Sequence, residues 1–312
     1  MINIGVVNID VSHPKTFSTY LNNGNRARYT AVYNDGFRGD DEVCGFIKNA
    51  GLIKRCSTIE ELAYEVDIGF IQGCNWDKHL QYAKPFFDLN KPVFIDKPIS
   101  GNMPDCLELE KLASRGKVIL GSSSVRYAEE ITTLTTKLRE NKSKILNVYG
   151  TSGVDEFNYG VHIVEGIGGL LGTGAVSCTY MGSGKSDVLI TENFFVRFEN
   201  DACAVYTTCQ GRWMPFNMVV MTDEGNYSFS IDTGKIYGVM LDKICDYMET
   251  GVNTLATVNA LTESVKIMLA GKMSREKGGG EVKLADIPGD YKGYDGYVFE
   301  KEYALKAAKI YI

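Results

Sequence analysis

A lysine, an asparagine and a histidine in this sequence have the chemistry to move a proton at a substrate hydroxyl. Lys97 follows an apolar run and precedes Pro98, which favours an extended backbone at the lysine. His162 lies four residues after Asn158, so both side chains would share one face of a helix. A histidine with a near-neutral pKa suits a general base, and a lysine ammonium can stabilise an oxyanion. These residue types suit proton transfer at a hydroxyl; the structural alternatives are a solvated surface lysine at 97 and a hydrogen-bonded core histidine at 162.

The opening stretch GVVNIDVSHP has the position of a nucleotide-binding loop but lacks its glycines. The positions of Gly-x-Gly-x-x-Gly would fall on Asn8, Asp10 and His13. Glycines there allow a tight turn and a close approach of the backbone to pyrophosphate. Asp10 instead brings a negative charge, while Ser12 or His13 can cap the helix that follows. We favour retained but altered cofactor binding. The alternative is a pocket that binds only the small-molecule ligand.

The segment AVYND ends the second strand-like run and bears on cofactor choice. Asn34 stands where an acid that binds the ribose commonly sits, and Asp35 follows it. Asp35 could bind a ribose hydroxyl and favour NAD, whereas Arg38 could favour the 2′-phosphate of NADP. These residues leave the choice between NAD and NADP open.

Residues 1–121 alternate between strand-like and helical patterns. Such alternation predicts a Rossmann-type, doubly wound parallel sheet that binds ligands at the carboxyl ends of its strands. Lys97 follows the fourth strand-like run, after Asp96, which places it at that edge. The strand-like runs are 2–7, 29–33, 67–72, 92–95 and 118–121.

Residues 122–312 have the pattern of an α+β domain. Helical segments precede five strand-like runs, and two more helices follow them. Strands without intervening helices pair antiparallel, so we predict a large, mostly antiparallel open sheet. We expect this domain to bind substrate and to form a homodimer or homotetramer through the sheet. Tyrosines recur in the segment after Gly289, which predicts that this tail packs against the protein.

The composition excludes several classes of function. A net charge of −6 gives no support for nucleic acid or an anionic membrane surface as partner. The nearest candidate membrane span, 164–182, is interrupted by Glu165 and by glycines. Eight cysteines without a Cys-x-x-Cys pair indicate reduced thiols and a cytoplasmic location. Three histidines without paired ligand spacing predict no metal site.

Four motifs, in order along the chain, resemble those of one known family. They are NWDKHLQYAKPFFDLNKPVFIDKP from Asn75, which ends in Asp-Lys-Pro for the family's Glu-Lys-Pro; the pair Arg126-Tyr127; Asn158-x-x-x-His162 for the family's Asp-x-x-x-His; and SREKGGGEVKL from Ser274. On these motifs the chain is similar to the Gfo/Idh/MocA oxidoreductases, which act mostly on sugars and cyclitols with NAD(P).

The resemblance implies hydride transfer between NAD(P) and a hydroxyl or keto group of a sugar, cyclitol or similar small polyol. It implies catalytic roles for Lys97 and His162. The expected cofactor, NAD or NADP with weak or altered binding, would contact Asn8, Asp10, Ser12, His13, Asn34, Asp35, Gly73, Asn75, His79, Asp96, Lys97 and Arg126. The substrate would contact Trp76, Lys97, Tyr127, Asn158 and His162.

Two departures from the family pattern keep other functions open. Asn158 replaces a carboxylate that would raise the basicity of the neighbouring histidine, and the opening loop has lost its glycines. Together they support a non-catalytic ligand-binding protein, a sensor or a regulatory subunit, on the same fold. A lyase or hydrolase that uses transient oxidation on a bound nicotinamide is the third alternative.

Overall fold

The computed structural model describes residues 1–311 of the 312-residue chain. Its first part is a six-stranded parallel sheet in the order β3-β2-β1-β4-β5-β6. The elements are β1 Ile2–Val7, α1 His13–Asn23, β2 Ala27–Tyr33, α2 Asp40–Ala50, β3 Lys54–Arg55, α3 Ile59–Glu65, β4 Ile68–Ile71, α4 His79–Asp88, β5 Val93–Asp96, α5 Met103–Ser114 and β6 Ile119–Ser122.

Helices cover both faces of this sheet, which explains why β4 and most of β5 are apolar. Every residue of β4 and β5 is buried. Leu62 and Phe86 belong to the core on one face, and Phe17 and Phe46 to the core on the other. Burial on both faces is typical of parallel sheets. The strand order reverses between β1 and β4. In open α/β sheets the ligand crevice lies at such a point, outside the carboxyl ends of the strands. The predicted doubly wound sheet is confirmed.

The second part is a seven-stranded sheet in the order β12-β11-β7-β10-β9-β8-β13. Only β7 and β10 pair in parallel; the other pairs are antiparallel, which confirms the predicted sheet type. The elements are α6 Glu129–Asn141, β7 Ile145–Ser152, α7 Gly160–Leu171, β8 Ala175–Lys185, β9 Ile190–Phe198, β10 Cys203–Gln210, β11 Asn217–Thr222, β12 Asn226–Ser230, α8 Ile236–Thr250, α9 Val258–Glu276, β13 Val282–Lys283 and α10 Gly296–Lys306.

Strand β7 lies in the middle of the second sheet, although the sequence pattern does not predict it. Its buried residues are Val148, Gly150 and Ser152, so two of the three are small. A Cβ at Gly150 would lie 2.5 Å from Cγ1 of Ile163, which shows how closely α7 packs here. Small residues on this face let α7 pack closely against β7. They also leave the strand without the row of large apolar side chains by which a strand is recognised.

The last helices return to the first sheet. Met240, Leu241 and Ile244 of α8 join the core that contains Phe17. Helix α10 has only one buried residue, Gly296, and so lacks the apolar stripe that would predict a helix. The tail beyond it packs down, as predicted, and Tyr311 is only 2% exposed.

The structure also bears on the predictions of reduced thiols and of a chain without a membrane span. All eight cysteines are free, and six of them are buried. Within residues 1–311, every helix is too short or too polar to cross a membrane.

Candidate active site

Strand β5 delivers Asp96 and Lys97 to the carboxyl edge of the parallel sheet. Oδ1 of Asp96 accepts the backbone N–H of Lys97 at 2.8 Å, and Oδ2 lies 2.6 Å from Nδ1 of His13. Burial would raise the pKa of Asp96, but His13 and Lys97 together hold it below its usual value. The carboxylate therefore joins the end of β5 to the start of α1.

The Lys97 side chain reaches the segment that precedes α7. Its Nζ donates to Oδ1 of Asn158 at 2.9 Å and to the Asn158 backbone carbonyl at 3.1 Å. It also lies 5.3 Å from the ring centre of Tyr159. Burial lowers the pKa of Lys97 and outweighs the opposing charges of Asp96 and Asp155. An amide oxygen thus receives the lysine where the family has a carboxylate.

His162 lies one helical turn beyond Asn158, as predicted, and is buried. Its Nδ1 lies 2.7 Å from Oγ of Ser123, and its ring packs between Tyr159 and Phe216 at 5.9 and 5.2 Å. Burial lowers the pKa of His162 well below its ordinary value, and the nearby Lys97 lowers it further. A neutral imidazole at physiological pH can accept a proton.

Two polar residues of this site escape prediction from the sequence. Ser123 follows β6 and orients the His162 ring through the contact above. Asp155 accepts the Tyr159 N–H at 2.9 Å and the Asn158 amide at 3.4 Å. Burial raises the pKa of Asp155, against the Tyr159 N–H and Lys97, which lower it. The available signal was that Asp155 stands three residues before Asn158, within reach of one turn.

The opening loop forms its turn without glycine because Asn8 takes the left-handed backbone conformation at φ 63°. Its side-chain oxygen accepts the N–H groups of Asp35 and Gly36 at 2.9 and 3.2 Å. Its amide donates to the Asp35 carboxylate at 3.1 Å. Asparagine therefore keeps the turn but fills the space that glycine leaves for a phosphate.

Asp10 points into the protein and is fully buried. Its Oδ2 accepts the Cys74 N–H at 3.1 Å, whereas Oδ1 has no hydrogen-bond partner. A Cβ at Gly36 would lie 2.0 Å from Oδ1, so the carboxylate requires glycine there. Burial raises the pKa of Asp10 to about 6, with Glu300 adding to the effect and the Cys74 N–H and Lys78 opposing it.

Asp10 should make stability depend on pH. Its raised pKa means that the folded chain holds this proton more tightly than the unfolded chain does. The contribution is therefore fully present below the unfolded pKa of 3.8 and is lost as pH rises through about 6. Asp10→Asn keeps an acceptor for the Cys74 N–H and removes the charge. We expect the variant to be more stable than the parent by up to about 3 kcal/mol at about pH 8.

Denaturant unfolding at two pH values tests this expectation. The advantage of Asp10→Asn should shrink by about 2 kcal/mol between about pH 8 and about pH 4.5. Asp290→Asn, at an exposed site, is the matched control and should show no such change. An advantage that is equal at both pH values would contradict a buried, titrating Asp10.

The residues predicted to select the cofactor are satisfied by internal hydrogen bonds. Asn34 accepts the Ile9 N–H at 3.2 Å and donates to the Arg38 carbonyl at 3.2 Å. Asp35 accepts from the Tyr82 hydroxyl at 2.5 Å as well as from Asn8. Arg38 is buried and donates to the backbone carbonyl of Asp10 at 2.9 and 3.1 Å. Ribose hydroxyls or a 2′-phosphate would have to displace these contacts.

Three more predicted cofactor contacts lie at the end of β4. Nε2 of His79 lies 2.8 Å from the Gly73 carbonyl, and burial lowers the pKa of His79. Asn75 accepts the Asp77 N–H at 3.1 Å, and its amide donates to Glu300 at 2.9 Å. Of the predicted loop residues, Ser12 is exposed at the start of α1. The segment after β4 thus makes hydrogen bonds both within itself and to Glu300 of α10.

The remaining predicted site residues make their side-chain hydrogen bonds to groups other than Lys97. Arg126 pairs with Glu165, and the Tyr127 hydroxyl donates to the Gly121 carbonyl at 2.9 Å. The Trp76 indole donates to the Tyr294 carbonyl at 2.8 Å. Among residues 1–311, the side-chain hydrogen bonds of these three residues do not reach Lys97, Asn158 or His162.

With the C-terminal residues in place, the opening loop is closed to a dinucleotide. Side chains occupy the positions of the glycines, and Asp10 is buried where pyrophosphate would approach. The backbone carbonyl of Val11 accepts the Tyr311 hydroxyl at 2.5 Å. Pyrophosphate binding requires free N–H groups and an open surface at this helix start, and this surface is covered by the chain itself.

Known structures share the fold of this chain. The scyllo-inositol dehydrogenase from Lactobacillus casei with bound NAD(H) and scyllo-inositol superposes with a TM-score of 0.78 at 13% identity, over 92% of this chain and 100% of that one. The myo-inositol dehydrogenase from Lactobacillus casei in complex with NAD(H) and myo-inositol gives a TM-score of 0.76 at 13% identity, over 91% and 96%. No protein-family model and no curated protein sequence matches the chain. The chain therefore has the fold of the Gfo/Idh/MocA-type dehydrogenases, as its motifs predict.

Proposed function

We propose that this protein is an oxidoreductase that transfers a hydride between NAD or NADP and a hydroxyl or keto group of a sugar, cyclitol or similar small polyol. The observation that carries the proposal is the hydrogen bond of Lys97, at the carboxyl edge of the parallel sheet, to Asn158, which lies one helical turn before the buried His162. Two fold neighbours bind NAD(H) and an inositol, which supports this substrate class.

The roles follow from the contacts of the chain. His162, kept neutral by burial, would accept the hydroxyl proton. Lys97 would donate a hydrogen bond to the oxygen as negative charge develops on it. Asn158 holds the lysine at 2.9 Å, and Ser123 holds the imidazole at 2.7 Å. The nicotinamide would supply the hydride acceptor that these residues lack.

As part of the same proposal, the protein acts as a homodimer or homotetramer in the cytoplasm. Tyr149 and Val219 are cross-strand partners on the face of the second sheet that is turned away from α7, and both are exposed. Apolar side chains on an open sheet face support self-association through that face.

Turnover assays test the proposed function. Purified protein is mixed with inositols and sugars and with NAD or NADP, and the absorbance of the reduced nicotinamide is followed. We expect at least one polyol to be oxidised, and we expect turnover to disappear in a folded Lys97→Ala variant.

The filled opening loop favours a second candidate, a non-catalytic ligand-binding protein. It predicts that calorimetry detects polyol binding, that no nucleotide binds and that no polyol is oxidised. That result would replace the oxidoreductase proposal.

A further inference from the structure

The C-terminal strap, defined as residues 294–311, lies across the crevice of the parallel sheet. It starts beside the loop after β4, continues as α10, and ends at the loop after β1. In this strand order, that line joins the sites of the nicotinamide and of the pyrophosphate.

The first end of the strap is anchored at the loop after β4 and at the segment between β7 and α7. The Tyr294 ring stacks on Phe157 with centroids 4.0 Å apart, and its hydroxyl donates to Glu156 at 2.7 Å. The Gly296 N–H donates to Asp77 at 2.8 Å. A Cβ at Gly296 would lie 2.4 Å from Oδ1 of Asn75, so only glycine allows the backbone this close.

Helix α10 then covers the residues that would meet the middle of a dinucleotide. Glu300 accepts from Lys78 at 3.0 Å and from the Asn75 amide at 2.9 Å. The Tyr303 ring packs edge-on against Phe37 at 5.9 Å. Glu300 also lies close to Asp10 and Cys74, so the helix brings a carboxylate to the place where phosphates would lie.

The last residues close the pyrophosphate end. The Ala308 carbonyl accepts from Arg38 at 2.8 Å, and the Ile310 carbonyl accepts from Lys15 at 2.8 Å. The Tyr311 hydroxyl donates to the Val11 carbonyl at 2.5 Å, and its ring packs against Phe46 at 5.3 Å. Two cations near the loop are thus engaged by backbone carbonyls instead of phosphates.

The strap combines specific end contacts with little burial along its length. Gly296 is the only buried residue of α10, and Leu305 is 83% exposed. Segments with few buried apolar contacts open at low free-energy cost. The middle of the strap therefore adds little to the free energy that holds it in the crevice, and the end contacts, among them the buried Tyr311, contribute most of it.

We propose that the C-terminal strap occupies the dinucleotide crevice and that NAD or NADP binds only after the strap has left the opening loop. This inference rests on the proposed nicotinamide-dependent function. The apparent dissociation constant of the cofactor is then the intrinsic one divided by the fraction of chains with an open crevice. Strap and cofactor exclude each other because both require the surface around Val11 and Asn75.

Three variants test the exclusion. A chain ending at Lys306 lacks the last contacts, and Tyr311→Ala removes the anchor at Val11 while the rest of the chain stays intact. Leu305→Ala, at an exposed site on the same segment, is the matched control. Each protein is titrated with NAD, NADH, NADP and NADPH by calorimetry. Hydrogen exchange of the amides of residues 8–12 reports independently whether the loop is covered.

We expect faster exchange at residues 8–12 in both strap variants, together with binding of at least one nucleotide about 10-fold tighter or more than in the full chain. Leu305→Ala should match the parent in both measurements. Unchanged exchange would show that the strap does not cover the loop in solution and would overturn the inference.

Two further results separate this inference from the proposed function. Faster exchange with equal nucleotide affinity in all proteins would overturn the exclusion while the nicotinamide-dependent function stands. Faster exchange with no nucleotide binding in any protein would overturn both, since the crevice would then be open and still not a dinucleotide site.

Discussion

Lys97→Ala should reduce kcat by about 100-fold or more, because the substitution removes a hydrogen-bond donor at the reacting oxygen. The lysine Nζ has only the Asn158 oxygens as hydrogen-bond partners within residues 1–311, and it stands at the edge where ligands of parallel sheets bind. The side chain therefore contributes little to the stability of the fold, and its main contribution is the hydrogen bond that it can donate to a substrate. We expect the variant to stay folded.

The Lys97 experiment needs a conversion assay and a matched control. Lys48→Ala removes an exposed lysine from α2 and should leave both kcat and KM unchanged. Circular dichroism and thermal unfolding establish that Lys97→Ala is folded. Near-parental turnover in the folded variant would move the chemistry away from the end of β5.

Arg126→Met should lower the free energy of unfolding by about 3–5 kcal/mol, since it leaves the buried Glu165 carboxylate without its cation. Glu165 is fully buried, and Arg126 also donates to Oγ of Ser264 at 3.0 Å. The pair joins α7, which carries His162, to the segment that follows β6. Burial raises the pKa of Glu165, against the lowering effect of Arg126.

The double variant Arg126→Met/Glu165→Leu shows whether the loss comes from the unpaired charge. Replacing both partners by apolar groups of similar size removes that charge, so the double variant should recover most of the stability lost in Arg126→Met. Lys111→Met breaks an exposed pair with Glu108 and should cost less than about 1 kcal/mol. Denaturant unfolding measures all three. A double variant as unstable as Arg126→Met would mean that packing, and not charge, accounts for the effect.

Local patterns in the sequence determined the fold class and the position of the candidate catalytic groups along it. The alternation of apolar runs and helices predicts the parallel sheet, and the Asp-Lys-Pro run after β5 places Lys97 at its edge. The spacing of Asn158 and His162 predicts their shared helix face. Each of these features depends on neighbours within a few residues, so the sequence displays it directly. Strand β7 and helix α10 lack such a pattern, because one buries small residues and the other buries almost none.

Only the tertiary structure decided what the candidate site residues contact. Lys97 meets Asn158 across 61 residues, His13 meets Asp96 across 83, and Tyr311 reaches Val11 across 300. Contacts at such separations depend on how whole elements pack, which no local pattern encodes. Packing also sets burial, and burial is the largest influence on the pKa of Asp10 and of His162. The missing glycines of the opening loop were visible in the sequence. That the C-terminal strap lies across that loop follows only from the packing of the complete chain.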